Sequence, residues 1–386
     1  MVAHVLLLIS SSRDALVQFR AESRFPLLRS GLHTNTALEG DRTARARLVL
    51  AVLAVGLLIV ACISIATGAS DASAVALIQG WFEPGQDAAL SARDRLIVYE
   101  IRLPRVVLGI LVGAALAVSG ALMQGLFRNP LADPGIIGVS AGAGLGAITI
   151  IVLGGTVLGP FVSALGLYAL PIAAFFGGLI TTLLLYRIGT SRGQTSVATM
   201  LLAGIALAAL CGALSGVLIF VADDRQLRDL TFWGLGSLGG ATWPKVMAAG
   251  PFILTILAVS PFLARGLDAL ALGEASARHL GIPVQKLKTV AIVSVAAATG
   301  AAVAVSGGIG FIGIVVPHLL RLFMGPAHRY LLPASALLGA SLLLLADAIS
   351  RTIVAPAELP IGIVTAVFGA PFCMWVLLRR RGLLDL

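Results

Sequence analysis

Charge is scarce in this chain. Only 12% of its 386 residues are Asp, Glu, Lys or Arg, about half the share found in globular domains. With 58% hydrophobic residues and a mean hydropathy of +1.01, a water-soluble domain is excluded, and a bilayer is the solvent for most of the polypeptide. Lysine is nearly absent: Lys245, Lys286 and Lys288 are the only three, and none follows a glycine. The phosphate-cradling GxxxxGK[ST] loop is therefore missing, and the chain does not bind ATP by that route. Three cysteines, Cys62, Cys211 and Cys373, lie inside apolar segments without CxxC or Cys/His ligand spacing, so neither a disulfide framework nor a metal site is expected. There is no HExxH motif, and Asp347 is the one acid well inside an apolar span, which leaves an intramembrane enzyme or a proton-coupled carrier little to work with.

The chain has instead apolar runs of a length that crosses about 30 Å of hydrocarbon. Ten are expected, at 48–67, 104–126, 136–154, 166–187, 197–221, 244–264, 288–306, 309–322, 331–350 and 360–378. The eighth is short. Its Gly307-Gly308 start and internal Pro317 predict an irregular segment shielded by neighbouring helices. Residues 1–47 carry seven arginines without a signal-peptide pattern and read as a poorly ordered cytoplasmic extension to a ten-helix membrane domain over 48–386. The formal charge of +9 does not form a basic face, because the arginines lie between apolar runs. With the N-terminus inside, 19 basic residues fall on the cytoplasmic side and 8 on the other, a bias that places both termini in the cytoplasm.

Glycine makes up 44 residues. Four-residue spacing in Gly109/Gly113 and Gly138/Gly142/Gly146 puts small residues on one helical stripe, where backbones approach closely. The stretch 222–243, with Asp223, Asp224, Arg225, Arg228 and clustered glycines, is polar and outward under this topology. The longest cytoplasmic connection, about 265–288, contains Gly273–His279, which reads as a short helix stopped by Gly281 and Pro283.

Four segments together carry a family resemblance. They are Arg102-Leu-Pro-Arg105 leading to Gln124-Gly-Leu-Phe-Arg-Asn-Pro-Leu-Ala-Asp-Pro-Gly-Ile-Ile-Gly-Val-Ser140; Leu272-Gly-Glu-Ala-Ser-Ala-Arg-His-Leu-Gly281; Gly310-Phe-Ile-Gly-Ile-Val-Val-Pro-His-Leu-Leu-Arg321; and Ala357-Glu-Leu-Pro-Ile-Gly-Ile-Val-Thr-Ala-Val-Phe-Gly-Ala-Pro371. From about residue 48 onward the chain resembles the FecCD-type permease subunits of type II ABC importers, which carry haem, ferric siderophores or cobalamin. The resemblance implies an all-α polytopic membrane protein with ten transmembrane helices in the bacterial inner membrane, and a short extra helix within 222–243 that flanks the outer mouth. It further implies a homodimer with two cytoplasmic ATPase subunits, which bind ATP and Mg²⁺, and a periplasmic substrate-binding protein. The chain itself would be no enzyme and would hold no cofactor.

The resemblance also implies roles for particular residues. Arg102, Arg105 and Arg351 match outward arginines that receive carboxylates from the binding protein, although Asp347, four residues before Arg351 on one helix face, is placed to neutralise it. Leu272, Gly273, Glu274, Arg278, His279 and Leu280 match the coupling helix that docks on the ATPase. Ser196, Val197 and Ala198 open the fifth span at the cytoplasmic gate, where the cobalamin importer has small hydroxyl residues; Val197 and Ala198 depart from that pattern. His318 is read as a helix-packing histidine and not a haem ligand. Among cargoes, the segment from Phe127 resembles haem permeases most, with ferric siderophore or cobalamin as the alternative. A stand-alone ion-coupled carrier or channel is the reading from a different class, and the coupling loop argues against it.

Overall fold

In hydrocarbon a backbone has to satisfy its own N–H and C=O groups, and a long apolar run does so by becoming a helix. The computed structural model describes residues 43–67, 92–191 and 194–381. Each of the ten predicted runs contains a helix there. The elements are α1 (Thr43–Ala66), α2 (Ala92–Leu96), a π-helical turn (Ile97–Arg102), α3 (Leu103–Phe127), a 3-10 turn (Pro134–Ile137), α4 (Val139–Leu153), α5 (Gly159–Leu165), α6 (Ala169–Gly189), β1 (Thr190–Ser191), β2 (Gln194–Thr195), α7 (Val197–Val221), α8 (Asp224–Leu235), α9 (Trp243–Ala271), α10 (Glu274–His279), α11 (Val284–Ser306), α12 (Ile312–Met324), α13 (His328–Thr352) and α14 (Ile361–Arg381), with a second short 3-10 turn at Gly166–Tyr168. Among the described residues, seven helices are long and apolar enough to span a membrane, and α4, α12 and the apolar part of α14 are shorter. The expected extension over 1–47 lies outside the described residues except for its last five, which already belong to α1.

The centre of the bundle is α3. Of its spanning window 83% is buried, against 6% for α1 and 17% for α7, so α3 is the post on which the others pack and α7 presents most of its surface outward. Neighbours α13, α9, α11 and α12 surround α3, while α4, α6 and α7 form a second group joined to the first through α11. Glycine allows the closest crossings. A Cβ on Gly113 would strike the Gly339 backbone, one on Gly120 the Gly313 carbonyl, and one on Gly142 the Gly177 carbonyl and Thr181. The small-residue stripes are therefore packing surfaces between helices.

The eighth run takes the form its glycines and proline predicted. Residues 307–311 are non-helical, Phe311 sits in the left-handed region (φ 68), and α12 follows for only 13 residues with Pro317 inside it. Gln124 of buried α3 donates to the Gly313 and Ile314 carbonyls at 3.2 and 3.3 Å and accepts from Arg321. These bonds supply the partners that the broken backbone needs. The extra helix foreseen in 222–243 is α8, opened by a reciprocal capping box between Asp223 and Gln226.

Candidate functional site

Two polar constellations lie at opposite ends of the bundle. The first forms where the end of α1, the start of α3, the end of α13 and the loop before α14 converge. The π-helical turn widens the helix just before Leu103; Arg102 reaches the end of α1, and Arg105 reaches α13. Arg105 donates from Nε to both oxygens of Asp347 (3.1 and 3.2 Å), from Nη2 to Asp347 Oδ1 and Glu358 Oε2 (2.9 and 3.0 Å), and from Nη1 to Glu358 Oε1 (2.8 Å). Arg351 Nε meets Asp347 Oδ2 at 3.0 Å, and its Nη atoms donate to Thr67 O, Ser64 O and Ser64 Oγ. Arg102 Nη1 donates to the Ile65 carbonyl at 2.8 Å. These two arginines thereby cap the C-terminal carbonyls of α1, a position that favours cations.

The geometry departs from the sequence expectation of outward-facing guanidiniums. Arg102, Arg105 and Arg351 are only 4%, 6% and 6% exposed. The fork of Arg105 is filled by two carboxylates of its own chain, Asp347 and Glu358. Asp347, fully buried, was foreseen as a partner of Arg351 and turns out to serve Arg105 as well. Glu358 was not foreseen. Its loop is pinned by the Leu359 N–H to the Ser350 carbonyl at 3.0 Å, and the hydrogen bond from Arg105 holds its carboxyl below the usual carboxylate range in spite of partial burial. Sequence reading missed Arg105–Glu358 because 253 residues separate the pair; the only available signal was an acid next to Leu359-Pro360 at a helix start.

At the opposite end, α10 lies in the connection between α9 and α11. Gly273 (φ 104) and Gly281 (φ 79) bracket it in backbone conformations that L residues rarely adopt. Ala277 is its one buried residue; Arg278 and His279 are exposed, and Leu272 and Leu280 are 69% and 62% exposed. Glu274 turns inward: its Oε1 accepts from Lys288 Nζ at 2.6 Å, with Arg278 at 3.6 Å on the other oxygen. Lys288, a residue the sequence did not single out, also donates to the Thr195 carbonyl at 2.9 Å. Ser196 caps α7, its Oγ accepting from the Thr199 N–H at 3.3 Å. Ala198 is exposed, and the side chain of Val197 lies outside the described residues.

Residues Gly138-Val-Ser-Ala-Gly142 have the spacing of a hydrolase nucleophile motif, but they open α4 after a 3-10 turn and follow no strand, so the strained strand-to-helix elbow is missing. His318 packs edge-on against Phe372 at 5.8 Å, in keeping with a packing role. Among the described residues no cluster of His, Cys, Asp and Glu is arranged to hold a metal.

Apart from one two-stranded hairpin the described residues form a bundle of helices, several of them long and apolar enough to cross a membrane, which places the chain in the class of polytopic membrane proteins. The chain belongs to the FecCD transport family, whose model matches residues 42–379. It is 45% identical over 333 residues to the hemin transport system permease protein HmuU of Yersinia pestis, covering 85% of this chain and 96% of the relative. Identity is also 45%, over 304 residues, to the vitamin B12 import system permease protein BtuC of Escherichia coli O9:H4, covering 78% of this chain and 89% of the relative. A solved ABC transporter of metal-chelate type in an inward-facing conformation superposes with a TM-score of 0.74 at 30% identity, covering 86% of this chain and 99% of that one. The protein is thus a multi-pass membrane permease subunit of an ABC importer and not itself an enzyme.

Proposed function

We propose that this chain is the permease of a haem importer, working as a homodimer with two cytoplasmic ATPase subunits and a periplasmic binding protein, with both termini in the cytoplasm. The observation that carries the reading is α10. A six-residue helix with one buried residue, flanked by Leu272 and Leu280, sits in a polar loop where exposed leucines have no lipid to meet, and an apolar pair framed by Arg278 and His279 suits a protein groove. ATP and Mg²⁺ belong to the partner, since this chain has no phosphate loop. Arg102 and Arg351 at the outer end would receive carboxylates of the binding protein, and Ser196–Ala198 would form the cytoplasmic gate.

Haem is favoured because the match to the hemin permease extends over 85% of this chain, against 78% for the vitamin B12 permease. The equal identities keep cobalamin, and with it ferric siderophores, as the second reading. The deciding experiment is growth and uptake in a strain lacking this gene. Loss of growth on hemin as the sole iron source, restored by the gene, supports haem; normal growth on hemin with loss of ferric siderophore or cyanocobalamin uptake overturns that cargo.

A further inference from the structure

We infer that Lys288 is a positioning residue that ties α10 to the head of α7, so that displacement of the coupling helix is delivered to the gate segment. The inference rests on the importer reading of α10. Three separate elements meet at this one side chain. Lys288 lies in the second turn of α11, faces inward, and is 2% exposed, the bulkiest of the fully buried side chains. Its Nζ reaches Glu274, the first residue of α10, at 2.6 Å, and the carbonyl of Thr195 in β2 at 2.9 Å. One turn earlier on α11, Gln285 Oε1 accepts from the Thr195 N–H at 3.1 Å. Both backbone polar groups of Thr195 are therefore held by α11. The next residue, Ser196, donates its N–H to the Gly189 carbonyl at 2.9 Å and caps α7.

An ammonium removed from water has to keep its counter-charge and its acceptors, because separating them strands a buried charge. Lys288 consequently moves with Glu274 and with Thr195 together. A push on α10 cannot be absorbed in the α10–α11 turn alone; it carries β2, and Ser196 and α7 follow through a single peptide link. Arg278, the other cation near Glu274, is half exposed at 3.6 Å and has no bond to Thr195 that could replace this tie. α7 is the described span with most of its surface outward after α1, so a shift at its head alters the face available to a second copy or to cargo.

The test is vesicles reconstituted with the full chain, its ATPase and its binding protein, in which hemin uptake and ATP hydrolysis are read together. Lys288→Met is expected to lower uptake per ATP by about tenfold while hydrolysis persists, and Lys288→Arg, which keeps charge and both bonds, to recover to within about threefold. Adding Glu274→Gln to Lys288→Met should lower the ratio no further. A Lys288→Met complex with the wild-type ratio overturns the inference. Wild-type vesicles that couple no uptake of hemin, cyanocobalamin or ferric siderophore to hydrolysis overturn the importer reading instead. The tie is then decided by amide hydrogen exchange at Thr195 and Ser196 in the isolated chain, where equal protection in wild type and Lys288→Met refutes it. Should Lys288→Met fail to assemble, Glu274→Gln with an unchanged uptake ratio carries the same refutation.

Discussion

Replacing Asp347 by Asn tests the outer cluster most directly. Asn keeps the size and a carbonyl oxygen but removes a fully buried negative charge, which lies 2.9 Å from Arg105 Nη2 and 3.0 Å from Arg351 Nε. Breaking a buried pair by deleting one partner costs roughly 3–5 kcal/mol, because the remaining charge stays desolvated. Here two guanidiniums are left facing each other, although Arg105 keeps Glu358 and Arg351 keeps the carbonyls of α1. The expected loss for Asp347→Asn is thus in that range. Glu358 is 43% exposed at the side chain, and water screens it, so Glu358→Gln should cost about 1 kcal/mol or less. The assay is reversible unfolding of the purified chain in mixed micelles by increasing SDS, followed by circular dichroism. Removing Arg351 as well, as Met, deletes one stranded cation, so the double variant should be more stable than Asp347→Asn alone. An Asp347→Asn protein within about 1 kcal/mol of wild type, or a double variant whose losses simply add, refutes the argument that burial governs this site.

The low pKa of Glu358, set by Arg105, has a definite sign: its stabilisation is fully present above the unfolded value of about 4.3 and is lost as pH falls through the lower folded value. Wild-type stability should therefore decline in that acid window more steeply than that of Glu358→Gln, and parallel declines would count against the pair. Gly120→Ala should prevent stable folding, since the methyl meets the Gly313 carbonyl, whereas Gly56→Ala, with nothing within 4 Å, should be silent; the yield of monodisperse protein in detergent reads the difference. Leu272→Asp with Leu280→Asp should abolish co-purification of the ATPase while leaving membrane insertion intact, and retained ATPase would remove α10 from the docking surface. Arg102→Glu and Arg351→Glu should weaken association with the binding protein at moderate ionic strength, an effect that unchanged affinity would exclude; Arg105 is omitted because Asp347 and Glu358 already fill its fork.

What was legible in the sequence is what local chemistry determines. Apolar runs predicted ten helices because an unsatisfied backbone is intolerable in lipid; the glycine stripes predicted close crossings, and Gly281 and Pro283 marked the end of α10. The partners of buried charge were not legible, for a physical reason. Arg105 and Asp347 are 242 residues apart, and Lys288 and Thr195 are 93 apart, so no periodicity links them; only the packing of α3 on α13 and of α11 on β2 brings them into reach. Arg102, Arg105 and Arg351 came to notice through the family resemblance, whereas Lys288 was counted among ordinary basic residues flanking the apolar runs. Its burial reverses that reading. A lysine free to snorkel into cytoplasmic water would keep its ammonium hydrated; one held at 2% exposure between Glu274 and a backbone carbonyl has given up hydration for two fixed bonds. Loss of either bond then perturbs two elements at once, the arrangement required of a joint that transmits motion.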